Sequence, residues 1–254
     1  KVTGRAIYGI DARMPGLLHG KVLRSPHAHA KLISVDTSKA EAYPGVKAVV
    51  TGKDVSRNYE DKFEDLGEDI VRLKDLFAGV LAQDKVLYFG YPVAAVCATN
   101  VHIAEEALDL IEVEYEPLPH VLDVREAMKD DAPLVHEDLK TRSLGETSEK
   151  SSNVSQHFQT VLGDVEKGFS ESDVIVENEY LTEMVHQGYI EPVNATALWN
   201  EDGHLHIWNS SQGHFGVRDQ AAKVLGLNVS EVTVYPLEIG GGFGGKTKNY
   251  LEPI

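Results

Sequence analysis

Apolar and polar positions change their spacing several times along the chain, and each change predicts an element. Across residues 5–35 short apolar runs alternate with Gly and Pro, as in Arg5-Ala6-Ile7-Tyr8-Gly9-Ile10 and Met14-Pro15-Gly16-Leu17-Leu18. That pattern predicts short strands joined by turns. Residues 30–36 and 46–52 predict further strands, separated by a short helix over 37–42 with Thr37 as N-cap. Residues 53–79 are charged and turn-rich and predict a surface excursion. Strands are predicted over 86–89 and 92–99, the second apolar almost throughout, as a strand buried on both faces would be. Ile103, Ala104, Ala107, Leu108 and Ile111 then recur at helical spacing, with Glu105, Glu106 and Asp109 opposite. Period two returns over 111–116 and stops at Pro117 and Pro119. Strands and helices interspersed in this way predict one mixed α/β domain over residues 1–121.

Periodicity is weakest over 122–162, which reads as a linker wrapped on a surface. A second unit is predicted from Gly163. It holds a helical turn at 164–169, a long alternating strand over 174–184, and strands over 194–199 and 204–209. A helix over 215–225 closes at Gly226 as a left-handed cap. The strand 232–239 runs directly into the most Gly-rich stretch of the sequence.

Composition narrows the classes. The 254 residues are 42% hydrophobic and 25% charged, as in a globular protein. Their net charge of −16 argues against nucleic acid or anionic lipid as the main partner, because both need a basic face. No apolar run is long enough to span a membrane. The single cysteine, Cys97, excludes an intrachain disulfide and any cysteine-held zinc or iron–sulfur centre. A cytoplasmic chain is the expectation. Because the first residue is Lys1 and little follows the Gly-rich stretch, a piece of a longer polypeptide is expected.

The outstanding chemical feature is Gly240-Gly241-Gly242-Phe243-Gly244-Gly245-Lys246-Thr247. It satisfies the phosphate-loop form G-x-x-x-x-G-K-[ST], in which backbone amides cradle phosphates, Lys246 meets their outer oxygens and Thr247 meets magnesium. A phosphate loop must open a helix, and Pro253 limits any helix here to about two turns. A flexible surface turn is the bland reading, but glycines cost folding entropy. Between the two stands a loop whose amides approach an anionic ligand while Phe243 excludes water.

Other candidates are modest. His27 and His29 lie two apart, as two ligands on one strand face, yet no third ligand is near. His186 with Glu191 is a candidate acid–base pair. Ser210 and Ser211 are candidate nucleophiles with His204, His206 and His214 in range, although G-x-S-x-G is absent. Cys97 in its apolar run reads as an inert buried thiol. Gln212 is either part of a helix-capping segment or a neutral amide donor aimed at a ligand.

In combination these segments resemble a known family. Val2-Thr3-Gly4-Arg5-Ala6, residues 20–30 from Gly20 to Ala30, Pro44-Gly45-Val46 and residues 112–119 from Glu112 to Pro119 resemble the hammerhead domain of the molybdenum subunit of the xanthine dehydrogenase/aldehyde oxidase family. Gly188-Tyr189-Ile190-Glu191-Pro192, Ser210-Ser211-Gln212-Gly213 and residues 240–246 resemble the first part of its molybdopterin-binding domain. The implied fold class is α+β. A mixed α/β hammerhead domain over 1–121 and a linker over 122–162 precede an incomplete α+β molybdopterin-binding domain over 163–254.

The resemblance implies an oxidoreductase that hydroxylates an aldehyde or an N-heterocyclic or aromatic substrate with oxygen from water. Electrons would leave through iron–sulfur clusters to FAD on other domains or subunits. It implies a molybdopterin-type cofactor held without a direct protein ligand to the metal. Gln212 matches the glutamine that hydrogen-bonds a molybdenum oxo group, and Phe243 and Gly244, with Gly241, Gly242 and Gly245, match the loop that meets the cofactor near the metal. The general-base glutamate of the family is expected beyond residue 254, so the segment alone is expected to be inactive and residues 163–254 to self-associate. Thr247 stands where the purine hydroxylases carry glutamate, which argues against a purine substrate. The implied partners are the remainder of the molybdenum subunit and the iron–sulfur and FAD components. A phosphate-loop nucleotide-binding protein and a non-catalytic assembly module remain the alternatives.

Overall fold

The computed structural model of the protein describes residues 1–66, 70–247 and 252–254. It divides into two compact units. One joins Lys1–Leu118 to Gln187–Ile254, and the other is Pro119–His186.

The first unit begins with irregular chain and a 3-10 turn at Gly9–Asp11, where strands were expected. Its two larger sheets come from β1 (His19–Arg24), β2 (Ala30–Asp36), β3 (Val46–Thr51), β6 (Lys85–Val86), β7 (Pro92–Ala98) and β8 (Glu112–Pro117). β7 is the central strand of β1-β7-β3, antiparallel to both neighbours, with Lys21 and Val49 both opposite Val96. Flanking strands and helices explain its near-continuous apolar run. Helix α3 (Val101–Leu108) covers it with Ala104 and Ala107, and Asn100 caps that helix by accepting from the Ile103 N–H. Helix α1 (Ser38–Glu41) adds Ala40 to the same core, although Thr37 makes no side-chain cap. The second sheet, β6-β2-β8, is antiparallel and half-exposed.

Residues 53–79 depart from expectation. They carry a small hairpin, β4 (Phe63–Asp65) with β5 (Ile70–Arg72), and helix α2 (Leu73–Val80). Leu73, Leu76, Phe77 and Val80 are all buried. Their i, i+3, i+4, i+7 spacing is a full apolar helix stripe, hidden in the sequence by its charged surroundings.

The rest of this unit positions the site. β12 (Ala195–Trp199) and β13 (Leu205–Asn209) are antiparallel. Helix α6 (His214–Leu225) then carries the chain over to β14 (Val232–Pro236), which lies parallel to β13. Leu205 and Ile207 of β13 pack with Ala221, Ala222 and Val232. Gly226 ends α6 in the left-handed conformation at φ 70°, as a helix C-cap requires. Lys223 of α6 pairs with Glu64 of β4 at 2.7 Å.

The second unit contains helices α4 (Val124–Ala127) and α5 (Val165–Ser170), capped by Asp123 and Asp164. Between them lies the sheet β10-β9-β11, formed by Glu146–Ser151, Lys140–Ser143 and Gln156–His157. The stretch read as linker therefore holds ordered structure. Asn153 braces it, accepting from the Val135 N–H and donating to the carbonyls of Ala127 and Pro133. The strand expected over 174–184 does not form a ladder among the described residues. Val174, Val176, Leu181 and Met184 along it are exposed. Alternation without a neighbouring strand leaves the backbone to water.

Candidate functional site

Strand alternation brings the site together. In β13, Leu205, Ile207 and Asn209 point to the buried face, so Asn209 ends the strand fully enclosed. Its Nδ2 donates to the Asn194 carbonyl at 2.8 Å. Ser210 and Ser211 continue the buried path, and Gln212 emerges to solvent just before α6 begins. The Gly-rich loop that follows β14 returns beside this turn.

The two segments are stitched at Lys246. Its carbonyl accepts from the Gln212 N–H at 2.9 Å and from Ser211 Oγ at 3.3 Å. In return, Gln212 Oε1 accepts from the backbone N–H groups of Gly244 at 3.0 Å and Lys246 at 3.3 Å. With Oε1 doubly occupied, the Nε2 amide remains as an outward donor. The contact is close enough that a Cβ on Gly242 would lie 2.5 Å from Gln212 Oε1, so only glycine fits there. Within the loop, Gly245 donates to the Gly242 carbonyl at 2.7 Å, and Gly240 donates to Glu191 at 2.7 Å. The N–H groups of Gly241, Gly242 and Phe243 have no acceptor among the described residues. Phe243 holds φ at +50° with its ring 73% exposed. That backbone costs a non-glycine residue roughly 1–3 kcal/mol and is a mark of functional loops.

Below the loop lies a buried ion pair. Lys246 is fully buried, its Nζ 2.8 Å from Glu191 Oε2 and 5.1 Å from the Tyr189 ring centre. Glu191 Oε2 also accepts from Gly240 N–H, and Oε1 accepts from Gly9 N–H at 3.2 Å. Burial alone raises the Glu191 carboxyl. The Lys246 ammonium and the amides of Gly240 and Gly9 outweigh it and hold the group below the usual carboxylate range.

This arrangement overturns the phosphate-loop alternative. Lys246 is neutralised and enclosed, and the Thr247 hydroxyl donates to the Gly244 carbonyl at 2.9 Å rather than facing a metal. Residues 248–251, where a helix would have to open, lie outside the described residues. Both oxygens of Glu191 are held by Lys246, Gly240 and Gly9, which gives the carboxylate a structural role in the loop. The histidines expected as bases for Ser210 and Ser211 are engaged elsewhere. His204 turns to Thr233, His206 to Tyr235 and His214 to the Asn209 carbonyl. His27 packs edge-on against Tyr115 and His29 is buried. No group of three His, Cys, Asp or Glu among the described residues is placed to hold a metal ion. The Cys97 thiol is raised by burial.

The sequence reading missed how Glu191 anchors the loop. A signal was present: a lysine closing a glycine run near a strand end needs a counter-charge when it is buried.

Comparison with known proteins identifies two family domains along the chain. Residues 3–119 match the a/b hammerhead domain of aldehyde oxidase and xanthine dehydrogenase, and residues 146–254 match the molybdopterin cofactor-binding domain. The carbon monoxide dehydrogenase large chain of Afipia carboxidovorans is 34% identical over 97% of this chain and 30% of its own length. One probable xanthine dehydrogenase subunit of Bacillus subtilis is also 34% identical, over 100% of this chain and 31% of its own. The crystal structure of a Cu,Mo-CO dehydrogenase superposes with a TM-score of 0.80 at 33% identity, covering 99% of this chain and 31% of that one. The chain thus spans about a third of the length of these relatives, which are themselves named as parts of larger enzymes. No helix among the described residues is long and apolar enough to cross a membrane. Two consecutive family domains, and a fold shared along nearly the whole chain, place this protein in the xanthine dehydrogenase/aldehyde oxidase family of molybdenum hydroxylases, with an α+β fold and a molybdopterin cofactor-binding domain.

Proposed function

We propose that this chain is the part of a molybdenum hydroxylase that presents neutral hydrogen-bond donors to the molybdopterin cofactor. Gln212 and the loop Gly241, Gly242, Phe243, Gly244 and Gly245 are its cofactor-binding residues. The observation that carries this reading is the orientation of Gln212. Two loop amides occupy Oε1, so Nε2 stands as a donor beside the N–H groups of Gly241, Gly242 and Phe243, which have no acceptor among the described residues. Such donors stabilise negative oxygen without adding a titrating group. They fit a group that carries anionic oxo and phosphate oxygens.

When bound, the cofactor supplies a two-electron oxidation coupled to insertion of oxygen from water. Gln212 would hold a cofactor oxygen by donation from Nε2, with Oε1 kept on the Gly244 and Lys246 amides. The Gly244 N–H is taken by Gln212 Oε1 and the Gly245 N–H by the Gly242 carbonyl, which together hold the loop, while the exposed Phe243 ring would shield the bound face from water. A division into a domain over 1–121, a structured connection over 122–162 and an incomplete domain over 163–254 belongs to the same reading. So do an aldehyde or N-heterocyclic or aromatic substrate, a general base supplied by another segment of the enzyme, iron–sulfur and FAD partners, and a cytoplasmic location.

The test is metal and pterin content of the enzyme purified with its complete molybdenum subunit. Molybdenum and pterin should co-purify stoichiometrically and fall several-fold in Gln212→Ala. Wild-type enzyme lacking molybdenum, made in a host that loads other molybdoenzymes, would contradict the reading.

A further inference from the structure

The Gly-rich loop is held from below as well as from the side. Glu191 Oε2 takes the N–H of Gly240, the first loop residue, and the ammonium of Lys246, the last. One carboxylate therefore closes both ends of the loop. A Cβ on Gly240 would sit 2.4 Å from Glu191 Cβ, so the two backbones meet without room for a larger residue. Lys246 passes this restraint upward. Its side chain belongs to Glu191, while its N–H and carbonyl belong to the carboxamide and main chain of Gln212. Glu191 Oε1 adds the N–H of Gly9, and the neighbouring Glu238 N–H donates to the Ile7 carbonyl at 3.0 Å. Residues 7–9 of the N-terminal segment thereby lie on the same anchor.

We propose that Glu191 is a positioning residue for Gln212, acting through Lys246 to hold the carboxamide with its NH2 turned outward. This rests on the cofactor reading above, because it gives that orientation a purpose. The physical argument is one of geometric restraint. A free glutamine on a turn samples several rotamers, and a loop of glycines is the most permissive backbone available. A preorganised donor needs both removed. The buried ion pair removes the loop's freedom. An unpaired Lys246 at this depth would carry a large desolvation cost, so the pair forms with one geometry or the loop opens.

The experiment is hydrogen exchange read by mass spectrometry on the complete enzyme, in cofactor-free and cofactor-loaded forms, for Glu191→Gln and the double variant Glu191→Gln/Lys246→Met. The double variant removes both charges, so it remains informative if the single variant leaves Lys246 buried alone and does not fold. Expected is at least 10-fold faster exchange of the Gly244 and Lys246 amides, the two donors to Gln212, with the amides of β13 unchanged. In the loaded enzyme the Mo(V) paramagnetic resonance spectrum should shift while molybdenum content is retained. Exchange at Gly244 and Lys246 within 2-fold of wild type would overturn the proposal, as would equal acceleration throughout β13. If the exchange effect appears but neither wild type nor variant ever holds molybdenum, the cofactor reading fails and the restraint of Gln212 by Glu191 stands.

Discussion

Residues 205–209 and 174–184 carry the same period-two alternation, yet they end differently. In β13 each inward residue meets a partner: Leu205 and Ile207 pack under α6, and β12 and β14 pair with the backbone on either side. Along 174–184 the apolar residues are exposed, and no ladder forms among the described residues. Alternation therefore encodes a capacity to pair, and pairing needs a second strand within reach. The contrast also explains where the site sits. Gln212 is displayed from the end of the fully partnered strand, so its main chain inherits the rigidity of the sheet, helix and ion pair around it.

The largest effect should come from the partnered strand. Ile207 is fully buried, so Ile207→Ala should cost about 2–5 kcal/mol in denaturant unfolding of the 254-residue chain. A cost below about 1 kcal/mol would mean that β13 is not the support described.

Acid should separate the regions next. The Glu191 carboxyl is held below its ordinary value, so its contribution is fully present above the unfolded value, about pH 4.3, and is lost as pH falls through the folded one. Acid titration should therefore release the amide protection of Gly240, Gly244, Gly245 and Lys246 once the carboxylate protonates, at a pH below the ordinary carboxylate range, with little change over 174–184. Loop protection that is lost at or above the ordinary carboxylate range, or that stays in Glu191→Gln, would remove the anchor from the account.

Smaller still is Phe243→Gly, which relieves the positive φ while deleting the ring. Thermal unfolding should show a stability change within about 1 kcal/mol. On the proposed reading the exposed ring faces the cofactor rather than the core, so cofactor retention should nevertheless fall. At the lower end, Leu181→Ala should stay within about 0.5 kcal/mol in the same chain, as expected for an exposed side chain. A cost comparable to Ile207→Ala would erase the distinction between the two strands.

Much of the fold is legible in the residues. The apolar run of β7, the helical spacing of α3 and the Gly226 cap each have one strong local solution, and the structure adopts it. Helix α2 was obscured because its four buried residues sit among charges and directly after a hairpin, a relation set by tertiary contact. At the site, the glycine run and Gln212 stand out by composition and by family resemblance. Glu191 does not, since its meaning depends on a lysine 55 positions later and a glycine 182 positions earlier. Lys246 was legible as a cation but misleading as a phosphate ligand. Nothing local distinguishes an exposed lysine after glycines from one folded inward onto a carboxylate.

The central claim is that Gln212 offers its amide NH2 to an oxygen of the bound cofactor while Oε1 stays on the Gly244 and Lys246 amides. An experimental structure of the loaded enzyme tests this most directly. The account predicts Gln212 Nε2 at hydrogen-bond distance, about 2.7–3.2 Å, from a cofactor oxygen, with the Gly241–Phe243 amides facing the same group. A cofactor seated elsewhere, with Gln212 and the glycine loop still facing solvent, would contradict it.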